Sequence, residues 1–492
     1  MKLLHNEFVR LNSELAKDAN DEEEKLVLSD QELIAKALDI EENATSTPSI
    51  YGNVVKNKIQ LYKKMAVPAW KDERAKEIAE KRAQATVVLE KESKAKGIPV
   101  TIETGLTPDE ELNLLHKLHT PVESLSGHGY VTAIPSIEEV AQAKQGLEAA
   151  QGWENCDRCK TRFQVFPGRR EEDGALASGG RCTYHFGKPY WQERSHTDPN
   201  AKREKRFRCC GESISDSSGC TTSDNHVFKV SAVKRMAALL NFEKTPTNKE
   251  KRSDRPVCID GEMGYTVYGL ELIRLTATSW PSGDILFDVL VRPFGEILDL
   301  NSRYSGVWPK DIADALPWKS SDLVDSSTSE TDPKRLLRIV ESPAAARALL
   351  FSNLTPLTPL IGHGLENDLN AIRMIHPTII DTALLYPHRL GLPYRNGLKA
   401  LMQTHLNKQI QVVVDGKMEG HDSKEDANAA GELVRLALAK EWEKMKREGW
   451  TVQFGIFNAP SVVGAPQCPV RVLKRSREEK DHEDASISLT YD

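Results

Sequence analysis

Five residues in the second half of the chain have the types and spacing to do chemistry together. Asp260 and Glu262 lie in VCIDGEMGY, Asp368 in IGHGLENDL, and His421 and Asp426 in GHDSKEDA. On a strand, residues i and i+2 point to one face, so Asp260 and Glu262 present two carboxylates side by side. Such a pair repels unless a cation sits between them, and hard cations such as Mg²⁺ accept carboxylate oxygens while keeping waters and phosphate oxygens in their shell. The apolar run Val257, Cys258 and Ile259 leads into the pair and indicates a buried strand, where unpaired acids are costly. A solvated strand end is the blander alternative, and the apolar run argues against it. Asp368 falls at the start of a helix that follows a strand. Asp426 falls in the first turn of the last helix, where an acid alone would read as a cap; His421, five residues earlier on a Gly-flanked loop, makes it a ligand candidate. Histidine has the unperturbed pKa to take a proton from water near neutrality. The set suits an in-line displacement at phosphorus in which one metal activates water, another stabilises the leaving 3′ oxygen, and His421 is the general base. One D-x-E says little; three segments in order, each in a fitting context, say much more.

The elements that must position these residues can be read from pattern. Strands are expected over 257–262, 270–278 and 285–291, with Pro281-Ser282-Gly283-Asp284 as a turn. A Ser-, Asp- and Thr-rich insertion follows at 319–332, then a helix over 334–351, a strand over 357–362, a helix over 366–374, a lead into Asp381, and a final helix over about 423–446. A meander followed by alternating helices and strands implies an α/β domain on a mixed sheet, over 256–448.

Upstream, six of the eight cysteines fall between Cys156 and Cys220. Cys156, Cys159, Cys182, His185, Cys209, Cys210, Cys220 and His226 supply six sulfurs and two imidazoles, enough for two four-coordinate zinc sites. The Gly- and Pro-rich stretch around them, 151–230, cannot build much core without metal. Disulfides are disfavoured because no apolar leader precedes them and a reducing compartment follows, nucleus or cytoplasm. The ligand pairing stays open.

The 492 residues call for two or three domains, and a mean hydropathy of −0.47 with a net charge of −6 fits a soluble chain whose nucleic-acid contacts must come from local patches and bound cations. No apolar run is long enough for a membrane span. Residues 1–150 read as helical and linker-like: a capping box at Ser29 opens a short amphipathic helix in a solvated arm, or a docking helix for a protein partner, and 69–96 reads as a charged exposed helix. A basic linker covers 231–255, within a locally basic stretch over 200–256 (Lys202, Arg203, Lys205, Arg206 and Arg208, then Lys249, Lys251, Arg252 and Arg255), where the bland reading is solvation and the functional one is attraction of phosphates. The tail, 449–492, carries Lys474-Arg475-Ser476-Arg477, a weak nuclear signal.

The strings IDGEMGYT, GHGLENDL, HPTIIDTALLYPH and GHDSKEDA resemble the DEDDh branch of the DnaQ-like 3′–5′ exonucleases and, within it, the eukaryotic RNA exonuclease (Rex) family, with the upstream cysteines pointing to its fungal members. The resemblance covers about 156–440. It implies a ribonuclease-H-like fold, two Mg²⁺ or Mn²⁺ ions, release of nucleoside 5′-monophosphates, and trimming of the single-stranded 3′ ends of non-coding RNAs. It also implies that Met263 and Leu365 line the terminal nucleotide. Gly261 stands where the family commonly has cysteine, and a side chain there is expected to point away from the metals. GGRCTYHFGKPYW and RCCGESISDSSGC resemble the CHORD-type module, which holds two zinc ions; Gln192 stands where that module often has a further histidine. Two rival readings differ in class: a zinc-bearing adaptor with a non-catalytic nuclease fold, which would not need all five residues, and an exonuclease acting on DNA.

Overall fold

The computed structural model describes residues 2–17, 23–45, 51–78, 98–193, 203–215, 218–247, 255–319, 337–412, 420–453 and 455–460. All but the first residue of the insertion expected at 319–332, most of the helix expected over 69–96, the basic residues Lys202, Lys249, Lys251 and Arg252, and the basic cluster at 474–477 lie outside them.

The strand pattern beginning at Val257 builds one eight-stranded mixed sheet. Its strands are β1 (Val257–Thr266), β2 (Gly269–Ser279), β3 (Ile285–Val291), β4 (Ile297–Asp299), β5 (Leu316–Pro317), β6 (Arg338–Val340), β7 (Leu360–Gly362) and β8 (Ile379–Asp381). They run in the order β5-β6-β3-β2-β1-β7-β8, with β4 on the far end of β1. The meander β1-β2-β3 is antiparallel, and β6, β7 and β8 add in parallel. Three helices matter here: α1 (Pro343–Phe351), α2 (Leu365–Ile372) and α3 (Ser423–Arg447). Helices α1 and α2 cover one face of the sheet through Ala346, Leu350, Leu365, Leu369 and Ile372. Helix α3 covers the other through Ala427, Ala430, Val434 and Leu438. This is the ribonuclease-H-like α/β architecture expected from the sequence.

The sequence reading and the structure differ in four places. Residues 338–340 are strand, not helix: Ile339 and Val340 are buried between β3 and β5, and the helix starts only at Pro343, after the Ser342 cap. The arm expected at the N-terminus is instead a helical bundle. Helices Lys2–Lys17, Asp30–Thr45, Tyr51–Lys64 and 67–78 bury Leu4, Phe8, Leu11, Leu15, Leu33 and Trp70 together. Asn12 pins it by pairing both polar atoms with the backbone of Leu28 at 2.8 Å. The segment 98–131 is no linker. Leu114, Leu115 and Leu118 join the core under α3, Glu111 takes Arg435 at 3.0 Å, Thr120 N–H bonds Ile379 O at 2.9 Å, and Val100 N–H bonds Leu406 O at 2.8 Å. Within the tail, strands Thr451–Gln453 and Ile456–Asn458 form a hairpin whose Phe457 meets Trp442 edge-on at 5.3 Å.

Helix α3 seats closely because Gly431 lies over β1. A Cβ there would stand 2.9 Å from Cys258 Sγ and 3.1 Å from Trp280 Cδ1, and Trp280 Nε1 donates to Gly431 O at 3.0 Å. We therefore predict that Gly431→Val overpacks this seam and lowers stability by about 2 kcal/mol. Denaturant unfolding checks it; an unchanged midpoint would show that α3 does not need the close approach.

Candidate active site

Strand β1, helix α2 and helix α3 bring four carboxylates to one end of the sheet. Asp260 and Glu262 face Thr276 and Arg274 across the β1–β2 pairing, and a bulge follows Glu262. Strand β7 pairs with β1 only at Val257 and Cys258, so the β1 edge is free beyond that point. Asp368, in the first turn of α2, takes the freed N–H of Gly261 at 3.0 Å. Helix α2 is itself held by Asp381, which accepts N–H bonds from Gly364 at 2.8 Å and Leu365 at 3.2 Å and a bond from the Tyr130 hydroxyl. Asp426 enters from the first turn of α3.

His421 reaches the group on a loop held by backbone contact. Its N–H donates to Tyr304 O at 2.9 Å, and its Nδ1 is 3.5 Å from Asp426 Oδ2. Gly420 (φ +94°) passes so near Gly306 that a Cβ would stand 2.1 Å from the Gly306 Cα. Only glycine meets both demands.

These acids have no cation of their own among the described residues. Arg274 faces Glu262, but its guanidinium is bidentate on Asp288 at 2.8 and 2.9 Å. Burial pushes Glu262 up to about 9, with Asp260 and Asp426 adding their repulsion. Burial likewise takes Asp426 up to about 7 and Asp260 up to about 6, the latter opposed by the Ser423 hydroxyl at 2.8 Å. Asp368 stands well above the ordinary carboxylate range, from burial first and then Asp260 and Glu366. His421 is lowered, by burial and then by Lys399. Hard oxygen donors, buried and mutually repelling, suit a hard divalent cation, although in this structure the carboxylate oxygens are not drawn together as closely as the ligand atoms of the two cysteine–histidine groups below.

Other expected residues fall differently. Met263 is partly exposed beyond the bulge, whereas Leu365 is fully buried, with its Cδ2 filling the space a Cβ on Gly362 would need. Position 261 does not point clear of the acids: a Cβ there would stand 2.9 Å from Asp368 Oδ1. Alternation along β1 was read correctly, but Asp368 comes round the free edge to the other face. Two polar partners escaped the sequence. Ser423, three residues before Asp426 on the same helix face, carried a usable signal. Gln411, which donates to Asp426 at 2.8 and 3.1 Å, carried none.

The eight zinc candidates gather into two groups of four, Cys156, Cys159, Cys182 and His226, then His185, Cys209, Cys210 and Cys220, each with ligand atoms within 4.8 Å of one another. The Cys156 and Cys182 sulfurs are 3.7 Å apart. That is far beyond a disulfide and near the ~3.8 Å edge of a tetrahedron with Zn–S bonds of about 2.3 Å. The groups interleave, with Cys182 in the first and His185 in the second. Gln192 joins neither; its Oε1 accepts from Arg206 at 3.0 Å. The first group grips the active site's frame. Arg158, between two of its cysteines, donates to Asp299 Oδ2 at 2.5 Å, Asp299 caps the Asn301 N–H at 2.7 Å, and Asn301 opens the helical turn Ser302–Ser305 that holds His421.

A carboxyl whose folded pKa is raised costs nothing below its unfolded pKa and progressively more as pH rises to the folded value. We predict that Glu262→Gln stabilises the Mg²⁺-free protein by a few kcal/mol at pH 9 and has little effect at pH 4. Thermal unfolding at both pH values checks this; a gain of equal size at pH 4 would assign it to packing.

Comparison with known proteins adds the lineage. Residues 1–83 match the RNA exonuclease 3 N-terminal domain. RNA exonuclease 3 of Emericella nidulans is 48% identical over 464 residues, covering 94% of this chain and 72% of that protein. RNA exonuclease 3 of Schizosaccharomyces pombe is 36% identical over 330 residues, covering 67% of this chain and 50% of that protein. Among solved structures, the Neurospora crassa Pan2 catalytic unit (protease and nuclease domain) is 18% identical and covers 59% of this chain and 47% of that one, at a TM-score of 0.30 that carries no weight for function. The match to the Emericella protein extends over the helical bundle, the cysteine module and the sheet alike, and the chain belongs to the RNA exonuclease 3 family.

Proposed function

We propose that this exonuclease shortens RNA from the 3′ end, releasing nucleoside 5′-monophosphates, and that it trims non-coding RNAs. The observation that carries the reading is the approach of Asp260, Glu262, Asp368 and Asp426, with His421, at one sheet end, where among the described residues the nearest cation, Arg274, is committed to Asp288.

The four carboxylates would hold two Mg²⁺ or Mn²⁺ ions, which when bound supply Lewis-acid stabilisation of charge at phosphorus and a more acidic water. The rest falls to the protein. Asp426 faces His421 Nδ1 and favours a proton on that nitrogen, which leaves the Nε2 lone pair to take a proton from water. The lowered pKa of His421 keeps it unprotonated and ready as a base at neutral pH. Ser423 fixes the Asp260 carboxylate, Gln411 that of Asp426, and the Gly261 N–H that of Asp368. Each would be presented in one orientation, as catalysis by positioning requires.

The two cysteine–histidine groups would each hold a structural zinc ion, since all four positions are filled by protein donors and none is left for substrate.

We predict that Asp368→Asn lowers turnover at least 100-fold while the protein stays folded, and that His421→Ala does the same. The measurement is a ladder from 5′-labelled single-stranded RNA and its DNA counterpart, with Mg²⁺ or Mn²⁺ and with EDTA. A ladder on DNA alone would keep the chemistry and change the substrate; RNA bound but uncut by the wild type would leave a binding adaptor. Elemental analysis of purified protein should find two zinc ions per chain, falling to one in Cys182→Ser; none in the wild type would reject the zinc sites.

A further inference from the structure

The second cysteine–histidine group encloses a short hairpin that no step above uses. Strands Pro189–Trp191 and Lys205–Phe207 pair antiparallel, with His185 just before and Cys209 and Cys210 just after. Three-residue strands do not hold together alone. A metal at this group would staple their base, and the Phe207 ring stacks on His185 with centroids 3.7 Å apart.

What the hairpin presents is unusual for an acidic chain. Trp191 is 56% exposed, with the Lys205 ammonium 5.7 Å from its ring centroid. Tyr190 carries the Arg208 guanidinium at 5.2 Å. Among the described residues of 186–208 there are five cations (Lys188, Arg203, Lys205, Arg206 and Arg208) against two acids (Glu193 and Glu204), a local charge of +3 in a chain of −6. Aromatic faces beside cations are what a single strand of nucleic acid uses: bases stack on the rings and phosphates meet the cations, with little regard to sequence.

The hairpin is also continuous with the active site. Phe186 lies under the Arg303 guanidinium at 3.8 Å. The next residue, Tyr304, is exposed, meets the His421 ring edge-on at 6.4 Å and accepts its N–H. At about 3.3 Å per residue, Trp191 lies up to ~17 Å from Phe186 along the extended chain, a reach of several nucleotides.

We propose that this hairpin is an approach track for the RNA 5′ of the bond being cut, binding single-stranded RNA by stacking on Tyr190 and Trp191 and by phosphate contact with Lys205 and Arg208. The proposal rests on the exoribonuclease reading and deepens it. On this basis the enzyme grips its substrate at two places, the 3′ end among the carboxylates and the strand behind it on the zinc-stapled hairpin.

The test compares wild type with Trp191→Ala and Arg208→Gln in the full chain, each confirmed to keep the wild-type zinc content. With a twelve-nucleotide RNA, each variant should raise KM roughly tenfold and leave kcat within twofold. With a trinucleotide, kcat/KM should stay within twofold. Arg208→Gln should also flatten the salt dependence of twelve-mer binding by somewhat less than one ion. Binding of the same twelve-mer on an Asp368→Asn background needs no turnover. If that binding is weakened by the hairpin substitutions while the wild type cuts nothing, the track stands and the nuclease reading falls. Equal effects on both lengths, or none on either, would overturn the track, and an unchanged affinity for RNA would leave the surface to a protein partner.

Discussion

Four carboxylates repelling one another inside a protein form the constraint around which the rest of this fold is arranged. Burial penalises each charge and proximity penalises each pair, so the metal-free site is strained toward protonation. A structure can keep such a set only by fixing each member through an element that is stable for other reasons. Strand β1 is central in the sheet, α2 is tied down by Asp381, and α3 is seated at Gly431. The same strain becomes useful if divalent cations arrive, because relief of repulsion adds to coordination.

The cysteine module is bound into this arrangement. Arg158 sits between two cysteines of the first group and also lies over the rings of Tyr184 and Tyr265 at 4.8 and 5.2 Å. Through Asp299 it reaches the short turn whose carbonyl holds His421. The module's second group braces the same turn from another side, through Phe186 and Arg303. His421 lies on a loop, and that loop is held through contacts that lead back to the cysteine module.

How much of this could be read in advance depended on whether the signal was local. The β1–β2–β3 meander and α3 were legible because apolar runs, a Pro-Ser-Gly-Asp turn and helical spacing are written in consecutive residues. The five candidate residues could be picked out for the same reason, each within a short string in a fitting context, and the structure brings them to one end of the sheet. The N-terminal bundle was not, although Leu4, Phe8, Leu11 and Leu15 are helically spaced, because its closing partners Tyr62 and Trp70 come 47 or more residues later. The division of the cysteines and histidines into two groups was hidden as well, since the chain hands Cys182 to one group and His185, three residues on, to the other. The contact between position 261 and Asp368 depends on where β7 stops, which the alternation along β1 does not record.

The strap over 98–131 has a bearing on how the molecule is made. Its partners lie far ahead in the chain: Asp381 is 251 residues beyond Tyr130, and Arg435 is 324 residues beyond Glu111. Contacts of such sequence separation form late, because the loop between them must first be closed. During synthesis the strap leaves the ribosome long before the sheet edge and helix it completes, with the whole cysteine module translated in between. Its apolar residues Leu114, Leu115 and Leu118 therefore wait uncovered while the intervening module folds, and the catalytic half closes only when α3 has emerged. By connectivity the N-terminal bundle is complete first and the nuclease half last.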